Sequence, residues 1–216
     1  MIRDLLRLVD RPGMLSLAGG LPAPELLPVA RIDEACHRVL AAAGTRALQY
    51  GPTEGMDELR SVVAADQRTP IDEVVITTGS QQAIDLLARC LLDPGDVVVV
   101  ESPGYLGALQ AFQAAGADVH AVPADVDGLS TERLESRLRA GLRPKLLYVV
   151  ATFQNPSGAT LSPERRRHVA ALADEFGFVV VEDDPYGQLR FGGADSVPLR
   201  DLTGLAVTLG TASKTV

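Results

Sequence analysis

Five stretches hold side chains able to do chemistry, each directly after an apolar, β-branched run: Gly79, Ser80 and Gln81; Ser102 to Tyr105; Thr152 to Gly158 ("TFQNPSG"); Asp183 to Tyr186; and Gly210 to Lys214. A glycine that opens a helix after a strand turns backbone N–H groups and the helix dipole toward an anion such as phosphate. Tyr105 offers a flat face to a planar ring, Asn155 an amide, Asp183 a carboxylate for a buried cation, and Lys214 an amine that can bond a carbonyl carbon. Lysine is scarce here: Lys145 and Lys214 stand against eighteen arginines. Each stretch also has a plain structural reading. Glycine-serine starts are usually caps, tyrosines at strand ends pack, and asparagine in "NPSG" marks a turn. An "EDD" run is a solvated loop or a metal site, and no histidine spacing supports a metal. A lysine near a chain end is solvated. Taken singly, the plain readings are stronger; taken together, at successive strand ends, they do not account for the set.

Such a set needs a scaffold, and the chain encodes one. From about residue 71, short apolar runs alternate with helical periods. Strands are expected at 72–79, 96–101, 117–124, 145–151, 178–184 and 205–210. Helices are expected at 80–92, with Ala83, Ile84, Leu87 and Leu91 on one stripe, and at 105–116, 131–141 and 162–177. The last opens with Ser162 as N-cap and Pro163 in the first turn, and closes at Gly177. Apolar strands separated by helices predict an α/β fold: a three-layer α/β/α sandwich on a mainly parallel sheet. Ligands gather at the carboxyl ends of the strands in such sheets. The first 70 residues differ, with loops and helices near 29–43 and 54–66.

Composition narrows the function. A 216-residue chain, 46% hydrophobic with mean hydropathy +0.13, can bury a sizeable core. A net charge of -8 argues against nucleic acid as a main partner. No uninterrupted apolar stretch reaches about 18 residues, so no membrane span is expected. "RRR" at 165–167 reads as a solvated helix face, and Lys145 as a surface residue. Cys36 and Cys90 read as small buried hydrophobes in a reducing, cytoplasmic setting rather than a disulfide or metal site. No strand is followed by G-x-G-x-x-G, which disfavours a dinucleotide-binding dehydrogenase.

The ordered set "SLAGGLPAPELLP", "ALQYGPTEGMDELR", "TTGSQQAIDLLARCLLDPGDVVVVESPGYLGALQAF", "FQNPSG", "VVVEDDPYGQL" and "LGTASK" spans almost the whole chain. It resembles the fold-type I pyridoxal-phosphate enzymes, class I/II aminotransferases, and within them the 2-aminoadipate/kynurenine branch. The resemblance implies pyridoxal 5'-phosphate as cofactor. It assigns Gly79, Ser80, Gln81, Thr211 and Ser213 to the phosphate and Tyr105 to ring stacking. Asn155 and Tyr186 fall to the cofactor's phenolic oxygen, Asp183 to the pyridine nitrogen, and Lys214 to the covalent bond. Lys214, Asp183 and Tyr105 are then the catalytic residues. Tyr50 resembles the tyrosine that reaches the neighbouring subunit's phosphate, which implies a homodimer. Gly19 and Gly20, with Asn155, resemble substrate-side positions. Ala212 departs from the family, which commonly carries an aromatic there.

The implied reaction is transamination between an L-amino acid and a 2-oxo acid. Other chemistry on the same fold, such as a lyase or decarboxylase, shares these cofactor residues. A non-catalytic effector-binding module or a remnant is a further alternative. The family continues for a comparable length after this lysine, so the chain is expected to hold an N-terminal arm and first helix (1–45) and an incomplete cofactor-binding large domain (46–216). A small C-terminal domain would be missing, and full activity of the chain alone would then be in doubt.

Overall fold

The computed structural model describes Gly13, residues 20–192 and residues 196–215. These residues fall into two units, 20–78 and 79–215.

The first unit is helical. It comprises α1 (Val29–Ala43), the single turn α2 (Thr45–Leu48) and α3 (Asp57–Gln67). Asp57 and Glu58 occupy the first turn of α3, where carboxylates favour the positive end of the helix dipole. No described α1 residue is buried, and Val29, Ile32, Val39 and Leu40 stay exposed.

The strand expected over 72–79 does not form. Ile71–Glu73 make a 3-10 turn, and extended Val74 has no ladder partner among the described residues. β-branched residues favour extended dihedrals, but a strand also needs a neighbour to take its backbone groups. Here Arg60 takes the carbonyls instead: Nε donates to Val74 O at 2.9 Å and Nη2 to Ile71 O at 2.9 Å. The Ile76 N–H donates to Glu54 O at 2.8 Å.

The second unit carries α4 (Ser80–Leu91), β1 (Val97–Ser102), α5 (Leu106–Ala114), β2 (Asp118–Asp125), β3 (Gly128–Leu129), α6 (Thr131–Arg139), β4 (Leu146–Val149), α7 (Pro163–Phe176), β5 (Val179–Asp183) and β6 (Ala206–Leu209). Its sheet runs β3-β2-β1-β4-β5-β6. All pairings are parallel except β2 with β3, an unforeseen two-residue hairpin arm. It follows an Asp127 turn in which the Asp125 carboxylate accepts the Asp127 N–H.

Side-chain alternation builds two cores, one on each face. Val99, Leu147, Val149 and Val180 pack on α6 and α7 through Leu134, Leu138, Val169 and Leu172. Val98, Val100, Leu146, Tyr148 and Val181 pack on α4 and α5 through Ile84, Ala88, Ala108 and Phe112. These are the three expected layers. The α7 caps are as read: Ser162 Oγ accepts the Arg165 N–H, and Gly177 ends the helix.

Three readings need correction. "RRR" is not a solvated face. Arg166 is 2% exposed, and Arg165 forks onto Asp125 at 2.5 and 2.8 Å; only Arg167 stands in solvent. Neither cysteine is buried. Cys90 lies two residues past buried Ala88 on α4, and that 200° step carries it round to the outer face. Cys36 lies on α1, which has no buried residue in its unit. Among the described residues, no helix is long and apolar enough to cross a membrane.

Candidate active site

The carboxyl ends of β1, β4, β5 and β6 lie side by side; Tyr105, Asn155, Tyr186 and Lys214 sit on the segments that leave them and Asp183 ends β5, whereas Gly79, Ser80 and Gln81 open α4, which no strand precedes among the described residues. The pleat sorts the acidic run. Tyr148 pairs with Val181 in register, and Asp183, two residues on, faces the same α4/α5 side. Glu182 faces the α7 side. One residue of spacing therefore gives two adjacent buried carboxylates separate tasks.

Asp183 is 3% exposed. Its Oδ2 accepts a hydrogen bond from the Tyr148 hydroxyl at 2.6 Å, while buried Oδ1 has no hydrogen-bond partner. Burial pushes its carboxyl up to about 6, against the lowering effect of the Tyr148 hydrogen bond and with a smaller rise from Asp184. A buried acceptor without a donor is costly. A cationic N–H beside Oδ1 satisfies that oxygen and favours the carboxylate, so the residues present fit a protonated ring nitrogen.

Tyr105 is the N-cap residue of α5 and half-buried; its hydroxyl contacts Gln81 Oε1 at 3.4 Å. Burial pushes its hydroxyl up, and the nearby Asp183 and Tyr186 push it further. Gln81 Nε2 donates to Gly107 O at 3.1 Å, which ties the α4 start to the Tyr105 turn. A Cβ at Gly107 would lie 2.5 Å from Gln81 Oε1 and 2.6 Å from the Tyr105 ring, so a side chain there would displace one of these two groups. Gly79, at φ 79°, turns the chain into α4 in a conformation L side chains rarely adopt.

Asn155 belongs to a pinned loop. Gln154 Nε2 donates to Pro103 O at 2.8 Å and its Oε1 accepts the Ser157 N–H at 2.8 Å; Leu161 N–H donates to Ala151 O at 2.9 Å. Phe153 sits at φ 51°, strained for a bulky residue, with the Arg190 guanidinium 5.1 Å from its ring. After Asp183, the Asp184 carboxylate accepts the Gly187 N–H and turns the chain through Tyr186. Lys214 Nζ lies 6.0 Å from the Tyr186 ring centroid. Thr211 caps the turn before the lysine, accepting the Ser213 N–H at 3.2 Å and bonding Ser213 Oγ at 2.9 Å. Tyr50 and Gly20 belong to the first unit; Tyr50 is 99% exposed. Gly19 lies outside the described residues. Lys145 is a surface residue ion-paired with Asp96, at 2.7 Å, and Asp93.

Sequence reasoning missed four residues beneath the site. Arg166 and Glu182 form a buried pair at 2.5 Å. Tyr148 read as one more apolar strand residue. Glu101, 4% exposed on β1, accepts the Val150 N–H at 2.8 Å, just where the β1–β4 ladder stops. Burial pushes the Glu101 carboxyl up to about 7. A raised folded-state value means its stabilising contribution is complete below about pH 4.5 and lost as pH rises through 7. Glu101→Gln keeps the acceptor for Val150. It is expected to match wild type at pH 4 and exceed it at pH 8 by about 2 kcal/mol in urea denaturation.

A mainly parallel sheet with helices on both faces, carrying an aromatic, a buried carboxylate and a lysine at its carboxyl ends and a glycine-opened helix packed against it, defines an α/β protein with its polar cluster at one end of the strands. The chain belongs to the aminotransferase class I and II family, whose model matches residues 14–216. It is 45% identical to a 2-aminoadipate transaminase of Thermus thermophilus and 42% identical to aromatic-amino-acid aminotransferase 1 of Thermococcus litoralis. Each comparison covers 99% of this chain, and 55% and 54% of the relative. A crystal structure of an α-aminoadipate aminotransferase from Thermus thermophilus, complexed with N-(5'-phosphopyridoxyl)-L-leucine, superposes with a TM-score of 0.92 at 43% identity. It covers 100% of this chain and 55% of that one. The chain thus spans about half the length of the relatives it matches.

Proposed function

We propose that the chain carries the cofactor-binding machinery of a pyridoxal-phosphate-dependent aminotransferase of the 2-aminoadipate type, acting on an L-amino acid and a 2-oxo acid. One observation carries this reading: the buried, partnerless Oδ1 of Asp183, in a cluster with Tyr105 and Tyr186, the ring that Lys214 approaches. That environment suits a flat heterocycle with a positive N–H edge. When bound, pyridoxal phosphate supplies an electron sink for the pair left at the substrate α-carbon.

The chain's residues do the rest. Asp183 holds the proton on the ring nitrogen. Tyr105 covers one face of the ring. Asn155 and Tyr186 donate to the ring's phenolic oxygen. The α4 start (Gly79, Ser80, Gln81) and the Thr211 and Ser213 hydroxyls receive the phosphate. Lys214 would be the amine that holds the cofactor's aldehyde group and, once freed by the substrate amine, the base that moves the α-proton.

Several wider readings belong to the same proposal. Residues 1–45 act as arm and first helix and 46–216 as the cofactor domain, with Gly19, Gly20 and Asn155 on the substrate side. The near-complete exposure of Tyr50 supports its reaching a second copy in a homodimer. The setting is cytoplasmic.

The test is direct. The purified chain is mixed with pyridoxal phosphate, followed by visible absorbance, reduced with borohydride and mapped by peptide mass spectrometry. The expected result is one label, on Lys214. A label on Lys145, or none, overturns the reading.

A further inference from the structure

We propose that Tyr148 is a positioning residue: it holds one oxygen of Asp183 so that the other is the sole acceptor presented to a ring nitrogen. The inference rests on the cofactor reading above and goes beyond it to a residue that no motif marks.

Tyr148 lies in the middle of the sheet, on β4, with 2% exposure. The strand around it is apolar, and packing there would be satisfied by phenylalanine. A hydroxyl at such depth is costly unless it is bonded. This one donates to Asp183 Oδ2 at 2.6 Å. Its ring is held on the other side by an edge-to-face contact with Phe112, centroids 5.7 Å apart at 69°. The donor is therefore fixed on a rigid element.

A phenol donates one hydrogen, and a carboxylate has two oxygens. With Oδ2 occupied, rotation of the carboxylate is stopped and Oδ1 is left buried and without a partner. Burial and the adjacent carboxylate push the Tyr148 hydroxyl far above its ordinary value, so it stays a donor at every working pH. The other ionisable groups around the pair are Asp184, Tyr105 and Glu101, with Tyr186 beside Tyr105. Cations stand one step further out: Arg166 and Arg190 act on Asp184, and Lys214 Nζ lies 6.0 Å from the Tyr186 ring centroid. Burial and Asp184 favour the neutral acid at Asp183, which cannot hold a ring proton, and the Tyr148 hydrogen bond works against them.

The experiment uses the full chain and the variant Tyr148→Phe, which keeps the ring and its Phe112 contact. Two quantities are read: the dissociation constant for pyridoxal phosphate, and the titration midpoint of the Asp183 carboxyl carbon by NMR in the cofactor-free protein, with Asp183→Asn identifying the resonance. Tyr148→Phe is expected to raise the midpoint and weaken binding about tenfold or more, the scale of a hydrogen bond to a charged group. In the Asp183→Asn background, the same change is expected to alter binding less than about twofold, because paired residues do not act additively. An unmoved midpoint with unchanged binding overturns the inference while leaving the cofactor reading intact. Equal weakening in both backgrounds also overturns it, since the hydroxyl would then act through packing. A wild-type chain that takes up no pyridoxal phosphate overturns the cofactor reading and this inference together.

Discussion

Arg166→Ala is expected to lower the unfolding free energy by about 3–5 kcal/mol, the cost of stripping a buried carboxylate of its partner. Arg166 is 2% exposed and Glu182 2%. The guanidinium donates to Glu182 Oε1 at 2.5 Å, Ala151 O at 2.9 Å, Thr152 Oγ1 at 3.1 Å, Leu161 O at 3.1 Å and Val197 O at 3.2 Å. The second Glu182 oxygen accepts the Leu199 N–H at 2.7 Å. One side chain thus clamps α7, β5 and the start of the Asn155 loop. Truncating it strands a charge in a dry interior and takes a donor from three carbonyls, of which Ala151 O keeps the Leu161 N–H. A domain's whole stability is about 5–15 kcal/mol, so the loss is a large share. Urea denaturation measures it. Glu182→Gln in the Arg166→Ala background is expected to recover part of the loss by removing the stranded charge. A variant within 1 kcal/mol of wild type would show that the clamp does not bear on stability.

Asp183→Asn is expected to move two measurements in opposite directions. Pyridoxal phosphate binding falls about 100- to 1000-fold, the scale of removing one partner of a buried charge pair. The amide presents a donor where the ring N–H needs an acceptor, so the electron sink weakens too. The cofactor-free chain, by contrast, gains stability at pH 8. The Asp183 carboxyl is raised to about 6 from 3.8 by burial. Its contribution is complete below about pH 3.8 and lost as pH rises through 6, so wild type at pH 8 carries an unfavourable buried charge. Replacing it is worth about 1–2 kcal/mol at pH 8 and close to nothing at pH 4. Paired thermal melts at the two pH values and a cofactor titration check both halves. A variant that binds as wild type does would remove Asp183 from the ring-nitrogen role.

Much of this was legible along the chain. Val97–Ser102, Leu146–Val149, Val179–Asp183 and Ala206–Leu209 are apolar runs bounded by turn residues, and each became a strand near the place read. Ser162, Pro163 and Gly177 punctuate α7 as they do in the sequence. Residues 72–79 failed because composition sets dihedrals but cannot supply a neighbour, and Arg60 took the carbonyls. "RRR" failed because helical period places a residue on a face without saying what covers it. The site residues chosen at the strand ends gathered in one unit. Their supports did not announce themselves: Tyr148 and Glu101 lie within hydrophobic runs, and Arg166 within a charged one.

From β1 onward, the sequence alone determined the strand–helix alternation, the three layers and the positions at which polar residues leave the sheet, because each follows from near neighbours along the chain. The tertiary structure decided which oxygen of Asp183 is held and which is left over, and why Glu182 beside it serves a different task. Those outcomes depend on sheet register and on a helix crossing behind it. They join Tyr148 to Asp183, Glu101 to Val150 and Arg166 to Glu182, pairs that local propensity does not encode.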